Sequence, residues 1–181
     1  KKQAEIREEV MRVVNEIIKP EMTDLEKEFA LNDYLCESAE YNYDAFENTE
    51  ENDFIETDAK FHNAFHPYGT LIEKAGVCKS YAGSFKLLAE AAGLECIVVT
   101  GHINGQLPNV WNRVKIGGEW QTVDTTSNDN EKFVNAILNL PDQASSLALL
   151  EDKEYMMDSQ LSKYQASSEE QEFYRVSNQY Y

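Results

Sequence analysis

Cys78 is the residue whose type and position best suit chemistry. It stands two residues after Gly76 and opens a segment in which Ala82, Phe85 and Leu88 recur at helical spacing. The free amides at a helix N-terminus favour a thiolate, so this position predicts a lowered pKa for Cys78 and a nucleophilic thiol. The same position also suits a buried thiol at the start of a core helix, and position alone leaves both readings open.

A predicted β-hairpin downstream determines which polar side chains face one another. Gly117 and Gly118 form a two-residue hairpin signal after the alternating run 110–116. A loop of this length pairs Ile116 with Glu119, and every further pair along the hairpin follows from that one.

Asn109 and Asp124 are expected to meet on one face of this hairpin. The predicted register puts Trp111 opposite Asp124, so Asn109 lies diagonal to Asp124 and within side-chain reach. A polar pair close to a helix that begins with a cysteine suits a nucleophile and the groups that activate it. Asp124 by itself also suits a cap for the turn at 125–128, which is the structural alternative.

Composition and charge exclude several classes of partner. The chain has 181 residues, with 33 acidic against 16 basic side chains and a formal charge of −17. A pI near 4.5 and the lack of a Lys/Arg cluster argue against nucleic acid and against an anionic membrane surface. The 42% of hydrophobic residues predicts a folded chain, and no apolar run is long enough to span a membrane.

The three cysteines, Cys36, Cys78 and Cys96, match neither a disulfide framework nor a C-x-x-C metal spacing. No other ligand spacing implies a metal, and the sequence predicts no cofactor.

Two helices are predicted at the start of the chain. Apolar residues at helical spacing run up to Pro20, and Thr23 with Glu26 forms a capping box that begins the second helix. We expect the buried face of that second helix to contain Leu25, Phe29, Asn32 and Cys36.

The order of elements predicts an α+β fold, because helices come first and antiparallel strands follow. Residues 41–58 are acidic and aromatic without a clear period, which predicts a solvated loop. We expect a single domain over 1–181, with a helical lead-in and this acidic loop at 1–58, a core at 59–130 and a C-terminal extension at 131–181.

An ordered set of short runs resembles the transglutaminase-like core domain, a branch of the papain-like cysteine enzymes. The runs are Tyr68-Gly69-Thr70-Leu71, Gly76-Val77-Cys78-Lys79-Ser80-Tyr81-Ala82, Val98-Val99-Thr100-Gly101, Val110-Trp111-Asn112 and Trp120-Gln121-Thr122-Val123-Asp124-Thr125-Thr126. The resemblance covers residues 60–130 well, and 23–43 resembles the helices that precede the core in bacterial members. It implies a papain-like arrangement in which the helix of Cys78 packs on an antiparallel sheet, with Tyr68 and Trp111 on the cleft wall.

The resemblance also implies roles for the site residues. Cys78 is implied to attack a carboxamide carbon and form a thioester, which water or an amine resolves. Asp124 is implied to orient an imidazole that takes the thiol proton and returns it to the leaving amine. Asn109 stands where the family has that histidine, and an amide does not exchange protons near neutral pH.

Another histidine is a candidate to replace the missing base. His102 faces Asn109 if the connection between their strands spans 103–108, which makes it a possible substitute. His62 and His66 precede Cys78 and are expected near the rim of the cleft.

Two functions therefore compete. The first is a thiol enzyme that hydrolyses peptide or glutamine carboxamide bonds, or transfers the acyl group, through a thioester on Cys78. The second is a catalytically impaired pseudoenzyme whose cleft binds a peptide, a cell-wall component or a protein partner. An Asn109 introduced to inactivate the protein is a third reading.

The resemblance implies a peptide or protein as substrate or ligand, and the acidity favours one that is cationic or amine-bearing. The resemblance to bacterial members implies an extracellular or cell-surface location.

Overall fold

The computed structural model of the chain describes residues 1–129, 135–140 and 149–151. Its helices are α1 (Lys2–Ile17), α2 (Asp24–Ser38), α3 (Tyr43–Glu51), α4 (Cys78–Ala91) and α5 (Thr125–Asn128), with a 3-10 segment at Ala59–Phe65 and a π-helical turn at Gly69–Glu73. Its strands are β1 (Glu40–Tyr41), β2 (Ala75–Gly76), β3 (Cys96–Ile103), β4 (Leu107–Ile116), β5 (Glu119–Val123), β6 (Leu138–Leu140) and β7 (Leu149–Glu151).

Five strands form an antiparallel sheet in the order β6-β5-β4-β3-β7, while β1 and β2 form a separate parallel pair. The predicted hairpin register is confirmed, because Ile116 pairs with Glu119 and the ladder continues to the pair Asn112 and Val123. The turn works because Gly117 and Gly118 both adopt positive φ. Helices followed by an antiparallel sheet confirm the α+β class.

The main core lies between α4 and one face of the sheet. Phe85, Leu88 and Ala89 of α4 are fully buried together with Val114 of β4. Asn112 is also buried here, and its side-chain amide donates to the Ala82 carbonyl of α4 at 2.9 Å. The helix that begins at Cys78 is therefore held against the central strand by packing and by a buried hydrogen bond.

The capping box of α2 is confirmed, since the Glu26 amide donates to Thr23 Oγ1 at 3.2 Å and the Thr23 amide donates to Glu26 Oε2 at 2.7 Å. The predicted buried face of α2 is confirmed for Asn32 and wrong for Leu25 and Phe29, which are 42% and 41% exposed, while Cys36 is half-buried. Besides Asn32, the buried residues of α2 are Glu28, Leu31 and Leu35.

Polar partners explain why α2 is turned this way. The Asn32 amide donates to Asn135 Oδ1 at 2.8 Å, and Asn139 donates to Glu28 Oε2 at 2.7 Å. These bonds give the buried polar side chains Asn32 and Glu28 partners outside α2.

The acidic segment is not wholly a loop, so that part of the boundary assignment is corrected. Its first half forms α3, which begins after Asn42, whose side chain accepts from the Ala45 amide at 2.9 Å. Ala45 is the buried residue of this helix, so the segment shows almost no apolar period.

Most of the predicted extension at 131–181 lies outside the described residues. Within the described part of the chain, no helix is long and apolar enough to cross a membrane.

Candidate functional site

The start of α4 is fixed by the parallel strand pair beside it. Gly76 of β2 pairs with Tyr41 of β1, and the Asn42 amide donates to the Gly76 carbonyl at 3.0 Å. A Cβ added at Gly76 would lie 2.6 Å from both side-chain atoms of Ser80. Glycine is required here because the first turn of α4 approaches this backbone closely. The result is a rigid entry into Cys78.

The Cys78 thiol is half-buried and lies against the beginning of the central strand. It receives hydrogen bonds from the backbone amides of Val110, Lys79 and Cys78 itself, which favour the thiolate. Burial is the larger effect, and the Asp124 carboxylate adds to it, so the pKa of Cys78 is raised to about 11. The prediction of a lowered thiol pKa is therefore wrong. The helix N-terminus lowers the pKa of Cys78 by less than burial and the Asp124 carboxylate raise it.

Asn109 and Asp124 meet as the hairpin register predicts. Asn109 Nδ2 donates to Asp124 Oδ2 at 2.8 Å, and both side chains are buried, at 6% and 0% exposure. Val110, whose amide contacts the thiol, directly follows Asn109 in β4. The structure thus gathers Cys78, Asn109 and Asp124 at one end of the sheet.

Asp124 also caps α5, so both readings of this residue describe real contacts. Its carboxylate accepts from the Ser127 hydroxyl at 2.7 Å and from the Ser127 amide at 3.3 Å. Burial still raises the pKa of Asp124 despite these donors and Asn109. The carboxylate is held in one orientation but is costly to keep charged.

The expected pairing of His102 with Asn109 is wrong. The strands β3 and β4 are joined through 104–106, which pairs His102 with Pro108 and Asn109 with Gly101. A shift of one residue turns a side chain to the other face of the sheet. His102 therefore lies on the face opposite to the Asn109 side chain, and the geometric basis for a substitute base there is lost.

The two other histidines lie in or just after the 3-10 segment before the cleft, and both are exposed. His62 contacts the Thr57 carbonyl at 3.2 Å, while the backbone carbonyl of His66 accepts the Ser80 hydroxyl. Neither contact places an imidazole beside Asp124.

The two predicted cleft-wall residues, Tyr68 and Trp111, make contacts within the fold. Tyr68 donates its hydroxyl to Glu5 Oε2 of α1 at 2.6 Å, so it joins the loop before β2 to α1. Trp111 is 1% exposed and packs in a second core with Ile97 and Val99. Their assignment to the cleft wall stays a prediction.

Tyr41 is a site residue that sequence reasoning missed. Its ring is half-buried beside the entry to α4. Burial is the main cause that raises the pKa of its phenol, and the charges of Cys78 and Asp124 contribute. A phenol with a raised pKa is a neutral hydrogen-bond donor at physiological pH. The only sequence signal was the dense aromatic run at 41–46, because pairing with Gly76 is not local.

Among the described residues, the side chain that contacts the Asp124 carboxylate from β4 is an amide and not an imidazole. The amide of Asn109 donates to Asp124 where a base would have to accept a proton from Cys78. Within the described residues, no group of three or more His, Cys, Asp or Glu side chains is arranged to hold a metal ion.

The fold and the site together define a class: a cysteine at a helix N-terminus, packed on an antiparallel sheet that presents an aspartate. Residues 11–125 match the family model described as the transglutaminase-like superfamily. The chain belongs to the transglutaminase-like superfamily.

Two curated proteins and a solved structure are similar to it. It is 26% identical over 135 residues to the kyphoscoliosis peptidase of Mus musculus, covering 68% of this chain and 19% of that protein. It is 27% identical over 125 residues to the kyphoscoliosis peptidase of Homo sapiens, covering 63% and 17%. The chain thus spans less than a fifth of these relatives.

A structure described as "Crystal structure of a TGase" superposes with a TM-score of 0.55 at 17% identity, over 72% of this chain and 32% of that one. This likeness supports the fold.

Proposed function

We propose that this domain binds a peptide or protein segment in a transglutaminase-type cleft without turning it over at an appreciable rate. The bond from Asn109 Nδ2 to Asp124 Oδ2 carries this proposal, because an amide occupies the position that must accept and return a proton. General acid–base catalysis of this kind contributes roughly 10²–10⁴-fold to rate.

The chemistry that a histidine would supply defines what is missing. An imidazole in place of Asn109 would take the Cys78 proton, and the sulfur would attack the carboxamide carbon to form a tetrahedral oxyanion. The imidazolium would then protonate the leaving nitrogen as the C–N bond breaks, giving a thioester that water or an amine resolves. With Asn109, the thiol stays protonated because its pKa is about 11.

Acyl transfer through Cys78 is the second candidate function, and the retained thiol supports it. Cys78 is partly accessible, whereas Cys96 is buried. Three backbone amides direct hydrogen bonds at the sulfur of Cys78. A peptide-binding cleft needs neither the thiol nor these donors.

The two functions are separated by assaying ammonia release from glutamine peptides and cleavage of peptides. The native chain is expected to show no turnover dependent on Cys78, and Asn109→His is expected to gain it. The matched control Asn109→Gln keeps an amide and should gain nothing. Turnover by the native chain that disappears in Cys78→Ala would overturn the binding proposal in favour of the enzyme.

A further inference from the structure

A row of aromatic rings begins in β1, beside the entry to α4, and continues along α3. Four rings form it, and we call them the aromatic ridge: Tyr41, Tyr43, Phe46 and Phe54. The centroids of Tyr41 and Tyr43 are 4.9 Å apart in an edge-to-face contact, and Phe46 lies 6.3 Å from Tyr41. These spacings are those of directly contacting aromatic pairs.

The far end of the ridge is built by an unusual turn. Asp53 and Phe54 both adopt positive φ, at 55° and 57°, a conformation that bulky side chains rarely take. The Phe54 amide donates to the Thr49 carbonyl at 2.9 Å, which folds the chain back after α3. The turn places the Phe54 ring 6.0 Å from Phe46, so strained backbone is used to extend the ridge.

Two of the four rings of the ridge, Tyr43 and Phe54, are exposed, whereas Tyr41 and Phe46 are half-buried against a small core. Tyr43 is 68% exposed, Phe54 is 40% exposed, and Ile55, next in the chain, is 84% exposed. Among the described residues, seven large apolar side chains are exposed, and these three fall within one stretch of the chain at 43–55. A clustered apolar surface of this kind is characteristic of binding sites.

The charge around the ridge has a single sign. Residues 41–59 contain no Lys or Arg. The acidic side chains of this segment are all exposed, and they are Asp44, Glu47, Glu50, Glu51, Asp53, Glu56 and Asp58. Tyr43, Glu47 and Glu50 share one side of α3, because residues four and seven apart align along a helix. Acids and aromatic faces both attract cations.

The ridge is continuous with the site of Cys78. Tyr41, its first ring, belongs to β1 and pairs with Gly76, two residues before the thiol. A peptide bound along the ridge would therefore reach the start of α4. We propose that the aromatic ridge and its acidic border bind a peptide segment in which Lys or Arg alternates with apolar or aromatic side chains. This inference rests on the proposed function, whose ligand class it specifies.

Binding should be measured by fluorescence anisotropy with the full chain carrying Cys78→Ala, so that no turnover contributes. The probe is a fluorescein-labelled peptide in which Lys alternates with Trp and Leu. One comparison peptide replaces Trp and Leu by Ser at the same charge, and another replaces Lys by Glu at the same apolar content. The first peptide is expected to bind more tightly than both, and to weaken as NaCl is raised.

Two pairs of variants test the location. The double variant Tyr43→Ser with Ile55→Ser is expected to lower the affinity for the probe by about tenfold or more, because anchoring side chains are lost. The matched control, Met11→Ser with Leu25→Ser, removes side chains that are 48% and 42% exposed on α1 and α2 and should leave binding unchanged.

Glu47→Lys with Glu50→Lys tests the charge and leaves the rings in place. This variant is expected to weaken binding of the Lys peptide and to remove most of the salt dependence of that binding. The control, Glu8→Lys on α1 with Glu21→Lys before α2, should change neither. Equal binding of the Glu peptide, or a probe indifferent to both ridge variants, would overturn this inference. Binding that responds to substitution of Asn109 but not of the ridge would overturn it and leave the proposed function standing.

Discussion

Asn109 Nδ2 donates to Asp124 Oδ2 at 2.8 Å, and both side chains are buried at the end of the central hairpin. The aspartate of a thiol site normally orients a base, but here it orients an amide. The Cys78 thiol nearby has a pKa raised to about 11 and lies beside a second group, the Asp124 carboxyl, whose pKa is also raised. Burial thus disfavours the charged form of both the thiol and the carboxyl group.

Alkylation of Cys78 should follow its raised pKa. At pH 8 about one thiol in a thousand is ionised when the pKa is about 11, so iodoacetamide should modify Cys78 slowly, at a rate rising through alkaline pH. Mass spectrometry of labelled peptides over a pH series measures this. Asn109→His should speed the reaction near neutral pH by about 10²-fold, because an imidazolium stabilises the thiolate. A native Cys78 that labels rapidly at pH 6 would contradict the structure.

Asp124→Asn should make Cys78 more reactive in the native background. The carboxylate raises the thiol pKa, so its removal lowers that pKa and increases the thiolate fraction at fixed pH. In the Asn109→His background the same substitution should slow alkylation, because the carboxylate then stabilises the imidazolium. The four alkylation rates form a double-mutant cycle, and the same sign in both backgrounds would contradict this account.

Glu28 should make stability depend on pH in the direction opposite to most carboxylates. It is fully buried, and burial raises its pKa to about 7 from an ordinary value of 4.5, so the folded state favours the protonated form. The contribution of protonated Glu28 to the free energy of unfolding is complete below about pH 4.5 and is lost as pH rises towards 7. Glu28→Gln keeps an acceptor for the Asn139 amide and removes this cost.

The expected gain from Glu28→Gln is about 3 kcal/mol at pH 8 and little at pH 4.5, measured as the free energy of unfolding in urea. Glu21→Gln, at an exposed position, is the control and should change neither value. A gain of equal size at both pH values would show that shape, not titration, is responsible.

Gly76→Ala should destabilise the entry into α4. The added Cβ would lie 2.6 Å from Ser80 and 2.8 Å from Thr70 Cγ2, so these side chains or the backbone must shift. Overpacking of this kind costs about 1–3 kcal/mol, seen as a lower Tm.

The comparison for Gly76→Ala is Gly93→Ala after α4, where nothing lies within 4 Å of the added Cβ but φ is +87°. That change should cost only about 1 kcal/mol through backbone strain. It should also leave the alkylation rate of Cys78 unchanged, whereas Gly76→Ala should alter that rate.

The parts of the fold and site that could be predicted are those set by neighbours in the chain. Gly117 and Gly118 determine the turn, and the turn determines that Asn109 reaches Asp124. Thr23 and Glu26 cap α2 within a single turn of helix. These features need no distant partner, because turn and cap geometry depend on residues a few positions apart.

Two kinds of feature were not predictable in this way. The pairing of His102 with Pro108 depends on the length of the local connection at 104–106, where a difference of one residue reverses the face of the sheet. Tyr41 reaches the site because β1 pairs with a strand far along the chain, which leaves no local periodicity. The buried face of α2 depends on its hydrogen-bond partners Asn128, Asn135 and Asn139.

The sequence by itself determined which residues are present at the site, including Asn109 within reach of Asp124. Only the tertiary structure decided how those residues ionise. The pKa of Cys78 reflects competition between burial, backbone amides and the Asp124 charge, and burial prevails. Desolvation is a property of everything packed around an atom, so position at a helix N-terminus was not sufficient to predict it.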